Sequence, residues 1–144
     1  MFGDYKWICR RIVEDAQDAI VYADREGIIR LWNSGARNIF GYSGEEAVGR
    51  NLDLIIPERL RQRHREGYER VMRTGETIYG KRLLAVPAQH RDGTRISIEF
   101  SLVLLKSPEG EVIGSAALIR DVTAKWQKEK EASRADKREQ ATAG

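Results

Sequence analysis

The chain is poor in the residues on which enzymes and cross-linked secreted domains depend. Among its 144 residues there are one cysteine and two histidines, which excludes a disulfide framework and a C-x-x-C pair for zinc or thiol exchange. Cys9 reads as a small apolar residue on a helix face. No stretch approaches the roughly 18 to 20 apolar residues that span a bilayer, and the start, MFGDYKWICRR, lacks the apolar core and small-residue cleavage site of a signal peptide. The expected location is therefore the cytoplasm. No G-x-S-x-G, H-E-x-x-H or phosphate-binding glycine loop is present, so no catalysis is expected. Neither sign of charge dominates: 25 basic and 22 acidic side chains leave a net charge of +3. Such a balance points to neither nucleic acid nor an anionic membrane as a partner.

What is present suits one domain with flanking helices, since 41% of the residues are hydrophobic and the length allows a single core. Phe2, Tyr5, Ile8, Cys9, Ile12, Val13 and Ala16 recur at three- and four-residue steps after Asp4, a suitable N-cap. An amphipathic helix is predicted over residues 4 to 17. Its apolar face needs a cover, either the outer face of a sheet or the same helix of a second subunit. Apolar runs 20–23 and 28–32 flank Asp24-Arg25-Glu26-Gly27 and read as paired strands. Gly41, Gly44 and Gly49 punctuate short helical pieces, with Glu45 and Glu46 placed to complement a helix dipole. Pro57 is expected to begin the longest internal helix and Gly75 to end it. Segments 78–86, 95–105 and 112–120 read as strands. In the second of these Ile96, Ile98, Phe100, Leu102 and Leu104 alternate with polar residues, as expected when one face is buried and the other wetter. Beyond Ala124 the composition turns to charged helix formers with almost no apolar face; the part before Ser133 reads either as an output helix or as a frayed, solvated tail, and disorder is expected after it.

The letters Asp24, Gly27, Ile29, Trp32 and Asn33, then Ala36, Phe40, Gly41, Tyr42, Ser43, Glu45, Glu46 and Gly49, follow the order D-x-x-G-x-I-x-x-W-N, A-x-x-x-F-G-Y-S-x-E-E, G. Arg91-Asp92-Gly93-Thr94 and Arg120-Asp121-Val122-Thr123 follow at the expected later places. Over residues 18 to 123 the chain resembles a PAS domain of the S-box kind. The resemblance implies an α+β fold: a five-stranded antiparallel sheet, short helices, one longer helix over a pocket, and helices at both ends. It divides the chain into an N-terminal helix (1–17) for dimerisation, a sensor domain (18–123) and a charged signalling helix and tail (124–144). It also implies sensing and signal relay, as in two-component systems, by a homodimer formed through the N-terminal helix and the sheet face. Asp121 and Thr123 would relay to a downstream signalling protein.

His64 lies on one helical stripe with Leu60, Tyr68 and Val71, and that stripe is expected to face the alternating strand 95–105. Neutral imidazole can bind iron axially, aliphatic side chains can cover a porphyrin, and arginine can pair with a propionate. The run R-x-R-H-x-x-x-Y-x-R, Arg61 to Arg70, is similar to the helix of the rhizobial haem-based oxygen-sensor PAS domains. By that resemblance haem b would be held by His64 as proximal ligand, with Tyr68 beside it and Arg70 on a propionate. Arg82 would be the distal polar group, and Leu84, Ile98, Phe100 and Leu102 would form the wall. Oxygen, carbon monoxide or nitric oxide, or the redox state, would then be the signal.

Two other readings stand beside this one. The domain can serve as a cofactor-free dimerisation module, or it can sense a small organic ligand or noncovalent flavin, with Trp32, Asn33 and Arg82 as contacts. Covalent flavin chemistry of the light-oxygen-voltage kind does not fit, because Leu52 stands where that subgroup has its reactive cysteine. The basic residues Arg59, Arg61, Arg63 and Arg65 read as a solvated face, since alternate residues on a helix point to different sides.

Overall fold

The computed structural model of the chain describes residues 2–77 and 84–143. Helix α1 (Tyr5–Asp15) begins where the Asp4 carboxylate accepts the Trp7 backbone N–H at 2.8 Å. Strands β1 (Ala19–Asp24) and β2 (Ile29–Trp32) form a hairpin. Its turn is organised by Asp24, which accepts the Glu26 and Ile28 amides at 3.0 Å each and pairs with Arg30 at 2.9 Å. Partial burial pushes the Asp24 carboxyl up. The bonds from Arg30 and the two amides outweigh it and hold the group below the ordinary carboxylate range.

Helix α2 (Ser34–Phe40) and the single-turn α3 (Gly44–Ala47) follow, the latter closed by a reciprocal capping box between Ser43 and Glu46. A 3₁₀ turn (Leu52–Ile55), a second one (Glu58–Leu60) and helix α4 (Arg61–Thr74) lead to the second half of the sheet. Pro57 stands outside α4 rather than opening it: its ψ of 138° is extended, so the chain first makes the 3₁₀ turn. Gly75 ends α4 as predicted, at φ 72°, where a side chain would be strained.

Strands β3 (Leu84–Gln89), β4 (Arg95–Lys106) and β5 (Val112–Asp121) complete an antiparallel sheet of order β2-β1-β5-β4-β3. Strand β3 runs three residues beyond the predicted end at Val86 and includes Pro87. Proline fits because β3 is an edge strand, where a missing N–H can face away from the ladder. The start of that predicted strand, residues 78–83, lies outside the described residues.

One face of the sheet is packed. Val21, Ile29, Trp32, Ile96, Ile98 and Ile119 are buried with Ala36 and Phe40 of α2, Ala47 of α3 and Ile55. Trp32 and Phe40 meet with ring centroids 5.5 Å apart. The other face keeps Val103 and Leu118 exposed. Helix α1 packs chiefly against α2 and leaves Tyr5, Ile8 and Ile12 in solvent, so the sheet's outer face is not its cover. Helix α5 (Thr123–Ala143) is continuous past Ser133, where a tail was expected. Its start is fixed by the Ser97 amide, which donates to Thr123 Oγ1 at 3.0 Å, and by Asp121, which accepts the Thr123 amide at 2.9 Å.

Asn33 ties the N-terminal half together. Its carboxamide oxygen accepts the amides of Ile20 (2.8 Å) and Ala36 (2.9 Å), and its nitrogen donates to the carbonyls of Val13 (2.7 Å) and Asp18 (3.0 Å). It therefore caps the end of α1 and the start of α2 and anchors the first residues of β1, while only 3% exposed. Replacing it strands several buried partners at once. Asn33→Ala is expected to destabilise the fold by about 3 kcal/mol, because each orphaned buried group costs on the order of 1–3 kcal/mol. Urea denaturation followed by circular dichroism tests this, a change under about 1 kcal/mol on that scale contradicting it.

Candidate functional site

Helix α4 is held over the packed face at two points. Arg61 Nε donates to the Ile56 carbonyl at 3.0 Å, and the Tyr68 hydroxyl lies 2.7 Å from the Asp24 carbonyl and 3.1 Å from that of Ala23. Its main packing in the sheet is against β5, and Met72 is its buried anchor. The helix thus sits over the end of the sheet where β1 ends and β5 begins. The expected seat over strand 95–105 is displaced toward β5, because Tyr68 bonds to carbonyls at the end of β1. Burial pushes the Tyr68 phenol up, while a bond with Ser115 works against it.

His64 lies one turn before Tyr68, half-buried, with the two rings stacked at 6.1 Å between centroids and 29° between planes. Among the described residues the imidazole has no hydrogen-bond partner. Burial pushes its pKa down and the charge of Asp53 opposes the shift only in part, so the ring is neutral at pH 7 and one nitrogen keeps its lone pair. Arg65, the next residue, turns aside to pair with Asp53, its Nε 2.8 Å from Oδ2. The other carboxylate oxygen of Asp53 is buried and without a hydrogen bond. Asp53 was not singled out in the sequence. The available signal is a carboxylate inside the otherwise apolar run Leu52-Asp53-Leu54-Ile55-Ile56.

The remaining predicted site residues are placed unevenly. Phe100 and Leu102 are half-buried on the inward row of β4, Phe100 opposite Ile119 and Leu102 opposite Ala117. Leu84 pairs with Phe100 across β3 and β4. Ile98, on the same row, is 5% exposed and belongs to the closed core under Phe40 and Ile55. Arg70 is on the exposed side of α4. Arg82 lies outside the described residues. His64 and Tyr68 are thus brought into contact, and Ile98, Phe100 and Leu102 share one row of β4.

Trp32 and Asn33 are not available to a flavin or small acid, contrary to expectation. The Trp32 indole N–H donates to the Tyr42 carbonyl at 2.9 Å inside the core, and the Asn33 carboxamide is committed to the four backbone groups described above. The basic run splits as a solvated face would: Arg61 and Arg65 each hold a local acceptor, while Arg59 and Arg63 are exposed.

Residues 13–126 match the family model described as the PAS fold. The chain belongs to the PAS family. It is 32% identical over 115 residues to the sensor protein FixL of Bradyrhizobium diazoefficiens, a match covering 79% of this chain and 22% of that protein. It is 30% identical over 95 residues to the oxygen sensor protein DosP of Escherichia coli, covering 66% of this chain and 12% of that one. The chain thus spans less than a quarter of the length of these relatives. Among solved structures, the PAS domain of a protein from Colwellia psychrerythraea superposes with a TM-score of 0.73 at 24% identity, covering 84% of this chain and 99% of that one. The α+β architecture with a five-stranded antiparallel sheet is therefore the PAS fold, as the motifs implied. This PAS domain is of the kind found in sensory signalling proteins. Among its described residues no helix is long and apolar enough to cross a membrane.

The burial of His64 gives the PAS domain a pH signature. Its folded pKa lies below the ordinary 6.5, so between those two values the unfolded chain binds a proton that the folded chain refuses. Stability is full above about pH 6.5 and falls as pH drops through that window. The carboxylate of Asp24, depressed from 3.8, acts only at lower pH. Urea midpoints between pH 8 and pH 5 are expected to decline in the cofactor-free protein and to flatten in His64→Gln; equal slopes in the two would contradict the burial argument.

Proposed function

We propose that this PAS domain is a cytoplasmic sensor that holds haem b through His64 and signals gas binding or redox state through its dimer and terminal helices. The observation that carries the reading is the neutral, half-buried imidazole of His64 without a hydrogen-bond partner among the described residues. Half-buried Phe100 and Leu102 supply apolar cover, and exposed Arg70 supplies a cation for a propionate. When bound, haem supplies reversible coordination of oxygen, carbon monoxide or nitric oxide. The chain's own residues hold α4, and with it His64, in place through the Tyr68 hydroxyl on the Ala23 and Asp24 carbonyls. Arg82, by resemblance, is the distal polar group. Similarity to proteins named sensor FixL and oxygen sensor DosP supports the same reading.

The output path runs through the sheet. Strand β5 pairs with β1 and β4 and leads directly into Asp121 and Thr123, where α5 is capped on Ser97. A shift of β5 therefore reorients α5 toward a downstream signalling protein, as in two-component systems. Catalysis, nucleic-acid binding and membrane insertion are not part of the reading.

A specific observation also favours the second function, a protein-interaction module that needs no cofactor. Ile12 of α1 is 63% exposed and Val103 of β4 52% exposed, apolar surface of the kind that a homodimer covers.

Two measurements test them. Protein purified with haem supplied is expected to show a Soret band that carbon monoxide shifts and that His64→Ala abolishes. A flat spectrum between 300 and 700 nm would exclude the haem reading. In sedimentation equilibrium, Ile8→Glu with Ile12→Glu is expected to convert a dimer to monomer while leaving circular dichroism unchanged, and an unaltered mass would exclude α1 from the interface.

A further inference from the structure

We infer that Arg120 is a two-position latch between the terminal helices: on Asp18 it ties the end of α1 to the strand that leads into α5, and on Glu99 it releases α1. Its part in signal relay rests on the signalling reading above, whereas the two positions of the side chain do not. Three observations carry the inference. The first is an ion pair between residues distant in the chain, in which Arg120 Nε donates to Asp18 Oδ2 at 3.2 Å. It lies one step beyond the main-chain ladder of β1 and β5, whose last pair at this end is Ala19 with Ile119. A side-chain bond thus continues the joint where the strands stop.

The second observation is that each partner is fixed to a terminal helix. The Asp18 carbonyl accepts from Asn33 Nδ2 at 3.0 Å, and the same nitrogen donates to the Val13 carbonyl of α1 at 2.7 Å. Gly35 packs against the Asp18 carbonyl so closely that a Cβ there would collide with it. The backbone of Asp18 therefore moves with the end of α1. On the other side, Arg120 immediately precedes Asp121, which accepts the Thr123 amide at 2.9 Å, and the Val122 amide donates to the Ser97 carbonyl at 2.9 Å. Arg120 thus stands at the root of α5.

The third observation is a second carboxylate on the same face. Ile119 is 3% exposed and points into the core, so its neighbour Arg120 stands on the outer face of the sheet. Glu99 is directly opposite Arg120 on β4, and it too faces outward because Ile98 before it is in the core. Residues directly opposite on antiparallel strands have Cβ atoms about 5 Å apart, within reach of an ion pair. Glu99 makes no ion pair among the described residues. Arg120 therefore stands between two acceptors, Asp18 on the β1 side and Glu99 on the β4 side, and occupies the first. The side chains of Arg120 and Asp18 are 72% and 43% exposed, and a pair so open to solvent holds too weakly to lock either position. A small bias on α1 or β5 is enough to exchange them.

The test is NMR of the cofactor-free full chain. It reads the Arg120 Nε–H resonance together with hydrogen exchange of the Ala16 amide, bonded to the Ile12 carbonyl, and of the Trp126 amide, bonded to the Val122 carbonyl. Wild type is compared with Asp18→Ala, Glu99→Ala, the double variant and Arg120→Gln, with circular dichroism to show that each keeps the fold. In wild type the Nε–H is expected to be carboxylate-bonded, and to remain so in Glu99→Ala. In Asp18→Ala it stays bonded, now to Glu99, while Ala16 exchanges roughly two- to fivefold faster, the range that an exposed pair supports. Only the double variant loses the bonded signal, and there and in Arg120→Gln the Trp126 amide also exchanges faster. A bonded signal lost completely in Asp18→Ala overturns the inference, as does exchange at Ala16 and Trp126 that Arg120→Gln leaves unaltered. No haem enters these readouts, so an absent Soret band removes the haem reading and leaves the latch standing.

Discussion

Strand β5 is the constraint on which the rest of the molecule depends. It hydrogen-bonds to β1 along one edge and to β4 along the other, and so joins two halves that are far apart in the chain. Its residues also set local details. Gly114 lies opposite Asp24 with the Tyr22 hydroxyl and the Ala23 carbonyl so close that a Cβ there would collide with both. Val112 packs near Gly75, at the end of α4, which links the position of the pocket helix to the same strand.

Polar side chains do the joining where strands do not reach. Asn33, Asp24 and Thr123 each satisfy backbone groups at helix ends or turns that would otherwise be buried without partners. Asn33 is the clearest instance, because one carboxamide serves the end of α1, the linker, β1 and α2. The same economy removes it from any role with a ligand: a group that satisfies four backbone atoms has no capacity left.

The site combines two opposite kinds of polar group. His64 is neutral and unpartnered among the described residues, while Asp53 is half paired, one oxygen on Arg65 and the other on nothing. Asp53 Oδ1 is the one buried polar side-chain atom without a hydrogen-bond partner among the described residues.

Local rules act over a few residues, and what they govern was legible from the sequence: the Asp24 to Gly27 turn, the Asp4 cap, the Gly75 stop and the alternation of Ile96, Ile98 and Phe100. The order of motifs carried the fold class as well. Other features depend on neighbours distant in the chain. Pro87 lies within a strand because β3 happens to be at the sheet's edge, and α4 leans toward β5 because Tyr68 finds carbonyls at the end of β1. Trp32 and Asn33 are consumed by the core, and Asp53 is tied to α4 through an ion pair with Arg65. Periodicity and composition determined which elements form and which faces are apolar. Only the tertiary structure decided which polar groups are satisfied and which are left open, because burial and hydrogen-bond pairing are set by contacts made across the fold.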